Sequence, residues 1–288
     1  MIQEEIDAIA LGFIKGVGHR IARKITNVVP SISDLFLMSE KELVNDVQLS
    51  QSLAQEILSS RNSARQEAEK EVEWTEKYGV NILTFNSPRY PSRLRSCDDS
   101  PAVLYAHGNA DYNVRRVLSV VGTRRPSAYG RQWCSDVLTE LASRNPDLLI
   151  VSGLAYGIDV TSHISALDNN LPTVGVVAHG LDLIYPSQHK EIARRMVLQN
   201  GAVLTEFRRG VQPEAANFVM RNRIVAGMAD ATLVVESGSK GGSLITAAKA
   251  YEYNRKVLAL PGSPAAEMSA GPNMLIRDHR AELVTSAE

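Results

Sequence analysis

The chain has 288 residues, 31 basic against 32 acidic side chains and a formal net charge of −1, enough for a main domain plus an appendage but with no global field to attract a polyanion. Any anion site must come from local clustering of charge. Two cysteines, Cys97 and Cys134, in dissimilar contexts argue against a disulfide scaffold or a cysteine-based zinc site, and a reducing cytoplasm fits them. The acidic N-terminus is unlike a signal peptide and no apolar run reaches spanning length, so no membrane partner is expected.

Residues 1–78 read as a small all-helical domain with a connector helix. Ile6, Ile9, Ala10, Phe13 and Ile14 have helical spacing, and Gly16-Val17-Gly18 then opens a second helix through Ile21, Ala22 and Ile25. With Lys15, His19, Arg20, Arg23 and Lys24 around it, that turn resembles half of a helix-hairpin-helix, although ordinary chain reversal also needs glycine. From Ser60 to Tyr78 both charge signs interleave, as on a solvated helix, and Gly79 marks the domain boundary.

Residues 79–288 read as an α/β domain. Val80 to Phe85 is a strand, Asn86 to Gly108 is proline-punctuated with one apolar run at Ala102 to Ala106, and Val117 to Val121 is a nearly unbroken apolar strand. Strands at 148–152, 173–178, 202–205, 231–236 and 257–260 then alternate with helices at 158–167, 188–199, 217–226 and 243–253, which predicts a parallel sheet with helices on both faces. No GxGxxG follows the first strand, so an NAD site is not expected.

In such sheets ligands bind beyond the carboxyl ends of the strands. The tips here are Gly122-Thr123-Arg124, Ser152-Gly153 running on to Tyr156 and Asp159, and His179-Gly180. Five arginines and no acid lie between Arg115 and Arg131, so the first tip suits a phosphate, or else a tight turn with solvated arginines. Arg221-Asn222-Arg223 could offer forked donors and an amide, the competing use being an arginine paired with Asp230 or Glu236. Ser237-Gly238-Ser239-Lys240-Gly241-Gly242-Ser243 makes a second phosphate-cradling loop, yet without the Gly-Lys-Ser/Thr triplet of a P-loop. His163, His179, His189 and Asp159 lack a metal-ligand rhythm, and no nucleophile elbow surrounds Ser152, so neither metal, cofactor nor catalytic residue is assigned.

In order, VGTRRPSAYG, SGLAYGIDVTSH, HGLDLIYP, FVMRNRIVAG, ESGSKGGSLITAAKA and ALPG followed by GPNMLIRD resemble the DNA-processing protein A (DprA/Smf) family over about Val80 to Asp278. The resemblance implies an extended Rossmann-like domain behind a sterile-alpha-motif-like helical domain, and a dimer that binds single-stranded DNA and helps load RecA in natural transformation. It is not expected to be an enzyme. By motif, DNA contact would fall on Gly122, Thr123 and Arg124, on Arg221, Asn222 and Arg223, and on Ser237, Gly238, Lys240, Gly242 and Ser243, with Ser152, Gly153, Tyr156 and Phe218 completing the pocket. Three departures stand out: Val219 replaces a usual proline, Ala178-His179 leaves the histidine's role open, and no C-terminal winged-helix-like module precedes Glu288. The alternative is a nucleotide-binding enzyme of the lysine-decarboxylase-like phosphoribohydrolase group, whose PGGxGTxxE loop is matched here only by ESGSKGGSLITA, without the glutamate.

Overall fold

A computed structural model describes residues 2–288, which divide into two compact units. The first comprises the residues up to Tyr90 together with Arg95–Tyr105, and the second Pro91–Leu94 with Ala106–Glu288. The first unit therefore runs on past Gly79, where the sequence reading drew its boundary. Two hydrogen bonds explain why: the Phe85 N–H donates to the Ala102 carbonyl at 2.8 Å, and the hydroxyl of fully buried Tyr90 donates to the Pro101 carbonyl at 2.7 Å.

The first unit contains α1 (Ile2–Leu11), α2 (His19–Val28), α3 (Ile32–Leu35), α4 (Glu40–Asn45), α5 (Gln51–Tyr78) and β1 (Val80–Thr84). The charged helix expected from Ser60 begins earlier, because Ser50 caps α5 and Ala54, Ile57, Ala64, Ala68 and Val72 give it a continuous buried stripe. It stops at Gly79, which sits in the left-handed region at φ 64°. Around the glycine turn, Arg23 lies 3.9 Å above the Phe85 ring and donates to the Arg95 carbonyl, while Lys24 donates to the Gln48 carbonyl. Those two cations are occupied within the unit, which favours the chain-reversal reading of Gly16 to Gly18.

One turn, α6 (Ser92–Arg95), and β2 (Val103–Gly108) precede the main sheet. The second unit then alternates β3 (Val117–Val121), α7 (Ala128–Arg144), β4 (Leu149–Ser152), α8 (Ile158–Asp168), β5 (Thr173–Val176), α9 (Lys190–Leu198), β6 (Ala202–Thr205), α10 (Ala215–Gly227), β7 (Ala231–Val234), α11 (Gly242–Glu252), β8 (Lys256–Ala259), α12 (Ala270–Arg277) and β9 (Glu282–Leu283). The last seven strands run parallel in the order β6-β5-β4-β3-β7-β8-β9. After β3 the chain builds outward to β6, returns through α10, and builds the other way from β7, so the switch point lies between β3 and β7. Every residue of β3 is buried, as a central strand covered on both faces requires. Leu118, Val120, Ile150 and Leu233 pack with Cys134, Val137 and Leu138 of α7, and a second cluster joins Leu154, Val177 and Val203 to Ala193 and Met196 of α9. Burial pushes the Cys134 thiol up to about 12, which leaves it a packing group. Among the described residues no helix is long and apolar enough to cross a membrane.

In the first unit Asp7 is wholly buried and accepts both Nε (2.6 Å) and Nη2 (3.1 Å) of Arg65, tying α1 to α5. Asp7→Ala leaves that guanidinium facing an apolar gap and should lower stability by about 3 kcal/mol. Chemical denaturation followed by helical circular dichroism reads this, and a change under about 0.5 kcal/mol would mark the pair as no more than a surface contact.

Candidate functional site

At the switch point the carboxyl ends of β3 and β4, one face of α10 and the loop entering α11 enclose a cavity of about 610 Å³. Four of its walls were legible as motifs. β3 contributes Gly122, Thr123 and Arg124; β4 contributes Gly153; α10 contributes Phe218, Arg221 and Asn222; and the small-residue loop contributes Gly242 and Ser243.

The first wall is a turn held by a single residue at the end of β7. The Glu236 carbonyl accepts the Thr123 N–H at 2.7 Å, and its carboxylate accepts the Ser127 N–H (2.8 Å) and hydroxyl (2.6 Å). Ser127 in turn caps α7 by accepting the Gly130 N–H at 3.0 Å. The β4 tip is pressed against this turn. Gly157 has φ 80°, and a Cβ there would stand 2.2 Å from the Thr123 carbonyl oxygen, so only glycine lets the two loops meet. In the first turn of α8, Asp159 accepts the Gly153 N–H at 3.2 Å and lines the cavity. Burial raises its pKa, opposed by the nearby Arg221 charge and by backbone bonds from Ala155 and Gly153.

Arg221 forms part of the floor. It is 4% exposed, donates to the Val176 carbonyl, and lies flat against Gly153, where a Cβ would come within 2.1 Å of Nη1. Burial disfavours its charge and Asp159 supports it. Its Nε has no hydrogen-bond partner among the described residues, which leaves one donor of the guanidinium unused. Arg223 does not join it. Residues two apart on a helix point about 200° away from each other, and α10 spans both positions. Arg223 instead forms a buried ion pair with Glu206, so the pairing use foreseen for this motif holds for Arg223, with a different carboxylate than Asp230 or Glu236.

Arg124 is exposed at the rim, its guanidinium 5.5 Å from the centroid of Phe218, which also meets the Tyr185 ring at 5.9 Å. Asn222 reaches the Gly242 carbonyl at 3.5 Å. Several expected contacts lie off the cavity wall. Ser152 is buried and donates to the Val120 carbonyl; Ser237 is buried and accepts the Ser243 hydroxyl at 2.8 Å, pinning the glycine loop; Gly238 and exposed Lys240 belong to that loop without lining the cavity. Tyr156 faces a neighbouring cavity.

The histidines are structural. His179 donates from Nδ1 to the Gly180 carbonyl and accepts the Tyr185 N–H at Nε2, closing the loop of residues 179–185. His189 donates to the Leu154 carbonyl, and burial drives the His163 imidazole down to about 3, so it stays neutral beside Thr173. Among the described residues no group of three or more His, Cys, Asp or Glu could hold a metal ion. The apolar wall, Ala215, Val219, Val225 and Ile245, is not legible in the sequence, because apolar residues at helical spacing look like core.

A Rossmann-ordered parallel sheet with a glycine-lined, arginine-floored cavity at its switch point, and without the dinucleotide fingerprint, defines a Rossmann-like α/β protein. Residues 81–288 match the model for DNA recombination-mediator protein A, and the chain belongs to that family. It is 39% identical over 247 residues to the putative DNA processing protein DprA of Mycobacterium tuberculosis, covering 80% of this chain and 62% of that relative's length. DNA processing protein A from Streptococcus pneumoniae superposes with a TM-score of 0.79 at 28% identity, covering 96% of this chain and 93% of the other. The Helicobacter pylori protein of the same name, described with a unique single-stranded DNA binding mode, superposes at 0.64 with 27% identity, covering 72% and 92%.

Gly153→Ala tests the floor directly. The new methyl displaces the Arg221 guanidinium from its carbonyl partner, and overpacking of this kind costs about 1–3 kcal/mol. The thermal unfolding midpoint should drop, whereas an unchanged midpoint would mean that Arg221 does not rest on this glycine.

Proposed function

We propose that the protein binds single-stranded DNA without catalysing its conversion, the strand entering the cavity at the β3/β7 switch point. The observation that carries this reading is a lining of two kinds: the guanidiniums of Arg124 at the rim and Arg221 in the floor, and the apolar side chains of Phe218, Val219 and Ile245. A sugar-phosphate thread with unpaired bases has a counterpart for each. In a duplex the bases are already stacked and paired, so Phe218 would have no base face to meet. Arg124 takes a phosphate directly, while Arg221 acts from below as a buried positive charge. The polar groups of the neighbouring Asp159 carboxylate are engaged by backbone N–H groups and the Arg221 field, which suits a scaffold better than a general base.

Family membership and the printed description of the Helicobacter pylori protein support the same reading. It extends to a cytoplasmic homodimer that protects incoming strands and passes them to RecA during transformation and recombination.

Fluorescence anisotropy with labelled oligothymidylate and with a duplex of equal length tests the proposal. The single strand should bind preferentially, with log K falling against log salt by about 0.7 per phosphate engaged. Arg124→Ala should weaken binding by at least about tenfold, equivalent to roughly 1.4 kcal/mol. Equal affinity for duplex and single strand, or an Arg124→Ala loss well under tenfold, would overturn it.

A further inference from the structure

We infer that the strand leaving this cavity continues into a second, separate subsite built by Arg125, Arg131 and Tyr156, with Arg124 gripping the phosphate between the two. The inference rests on the single-stranded DNA reading above and adds residues which that reading does not use.

Beside the first cavity lies another of about 460 Å³, lined among others by Arg124, Arg125, Arg131, Tyr156, Gly157 and Thr161. Arg124 borders both cavities. Its neighbours differ electrically from four arginines elsewhere in the unit. Arg144 is neutralised by Glu140, Arg194 by Glu191, Arg195 by Asp168 and Arg223 by Glu206. Among the described residues neither Arg125 nor Arg131 has a carboxylate partner, and no acidic residue occurs between Arg115 and Arg131. In a chain of net charge −1, unneutralised guanidiniums opening onto one hollow are an anion site of stated valence, fitted to a polyanion that touches more than one of them.

The hollow also has a fixed ring. Tyr156 is 42% exposed, yet its hydroxyl donates to Gln188 at 2.9 Å and its ring meets His189 edge to face at 5.1 Å. A half-exposed aromatic already held in place loses little freedom when a base stacks on it. The close approach at Gly157, which brings the β4 tip onto the Thr123–Arg124 backbone, shapes both hollows at once. The geometry therefore suits two successive nucleotides, one base beside Phe218 and the next beside Tyr156, with the linking phosphate at Arg124.

The test is a length series of oligothymidylates, from about two to about twelve nucleotides, against the full chain and the Arg125→Ala/Arg131→Ala double variant. Both side chains lie at the surface, and an unchanged melting temperature confirms the fold. The double variant should bind the shortest oligomer as the unmodified protein does, but lose about tenfold or more at full length, with a salt slope shallower by about 1.4. Affinities and slopes equal to the unmodified protein at every length would overturn the second subsite while leaving the first cavity's function standing. Equal weakening at every length would overturn it as a separate subsite, and failure of the unmodified protein to bind any oligomer would remove both readings together.

Discussion

Glu236 holds the turn on which the site is built. Its main-chain carbonyl fixes Thr123 at one end of the turn and its carboxylate fixes Ser127 at the other, so Arg124 and Arg125 are carried on a segment clamped at both sides. The clamp also determines where the negative charge goes. The Glu236 carboxylate accepts from an N–H and a hydroxyl and, among the described residues, is not paired with an arginine, so the neighbouring guanidiniums remain free of it. The same acid thus ends a strand, caps a helix through Ser127, and preserves the positive character of the loop beside it.

An almost neutral protein can build a cationic cleft only by choosing where its charges cancel. Arg144, Arg194 and Arg195 pair with nearby acids, whereas Arg124 at the cavity rim has an aromatic ring beside it and, among the described residues, no carboxylate partner. Arg221 is the intermediate case. It is buried, as arginines seldom are, and its charge is supported by the nearby Asp159, whose carboxylate is itself held by a backbone donor.

Much of this architecture was legible in the sequence. The alternation of short apolar runs with helical spacing gave β3 to β8 and their helices nearly to the residue, and the glycine at each strand tip pointed to a shared crevice because parallel strands place their carboxyl ends together. Three things were not legible, for physical reasons. Arg221 and Arg223 read as a matched pair because a linear motif does not show that helical geometry sends them opposite ways. The apolar wall was invisible because Val219 and Ile245 at a cavity edge have the same pattern as Ile224 in the core. The boundary of the first unit was set by Tyr90 and Phe85, whose hydrogen bonds reach across a proline-rich segment that looks like a loop.

The central claim is that segments far apart in sequence, after β3, after β4, along α10 and before α11, form one cleft for unpaired nucleic acid. Photo-crosslinking with iododeoxyuridine-substituted oligonucleotides, followed by peptide mapping, addresses that claim most directly because such adducts form at aromatic side chains in contact with a base. The account predicts adducts on the α10 peptide at Phe218 and on the peptide carrying Tyr156, both competed away by unlabelled single strand. Retained binding of the single strand with no adduct at either Phe218 or Tyr156 would contradict it.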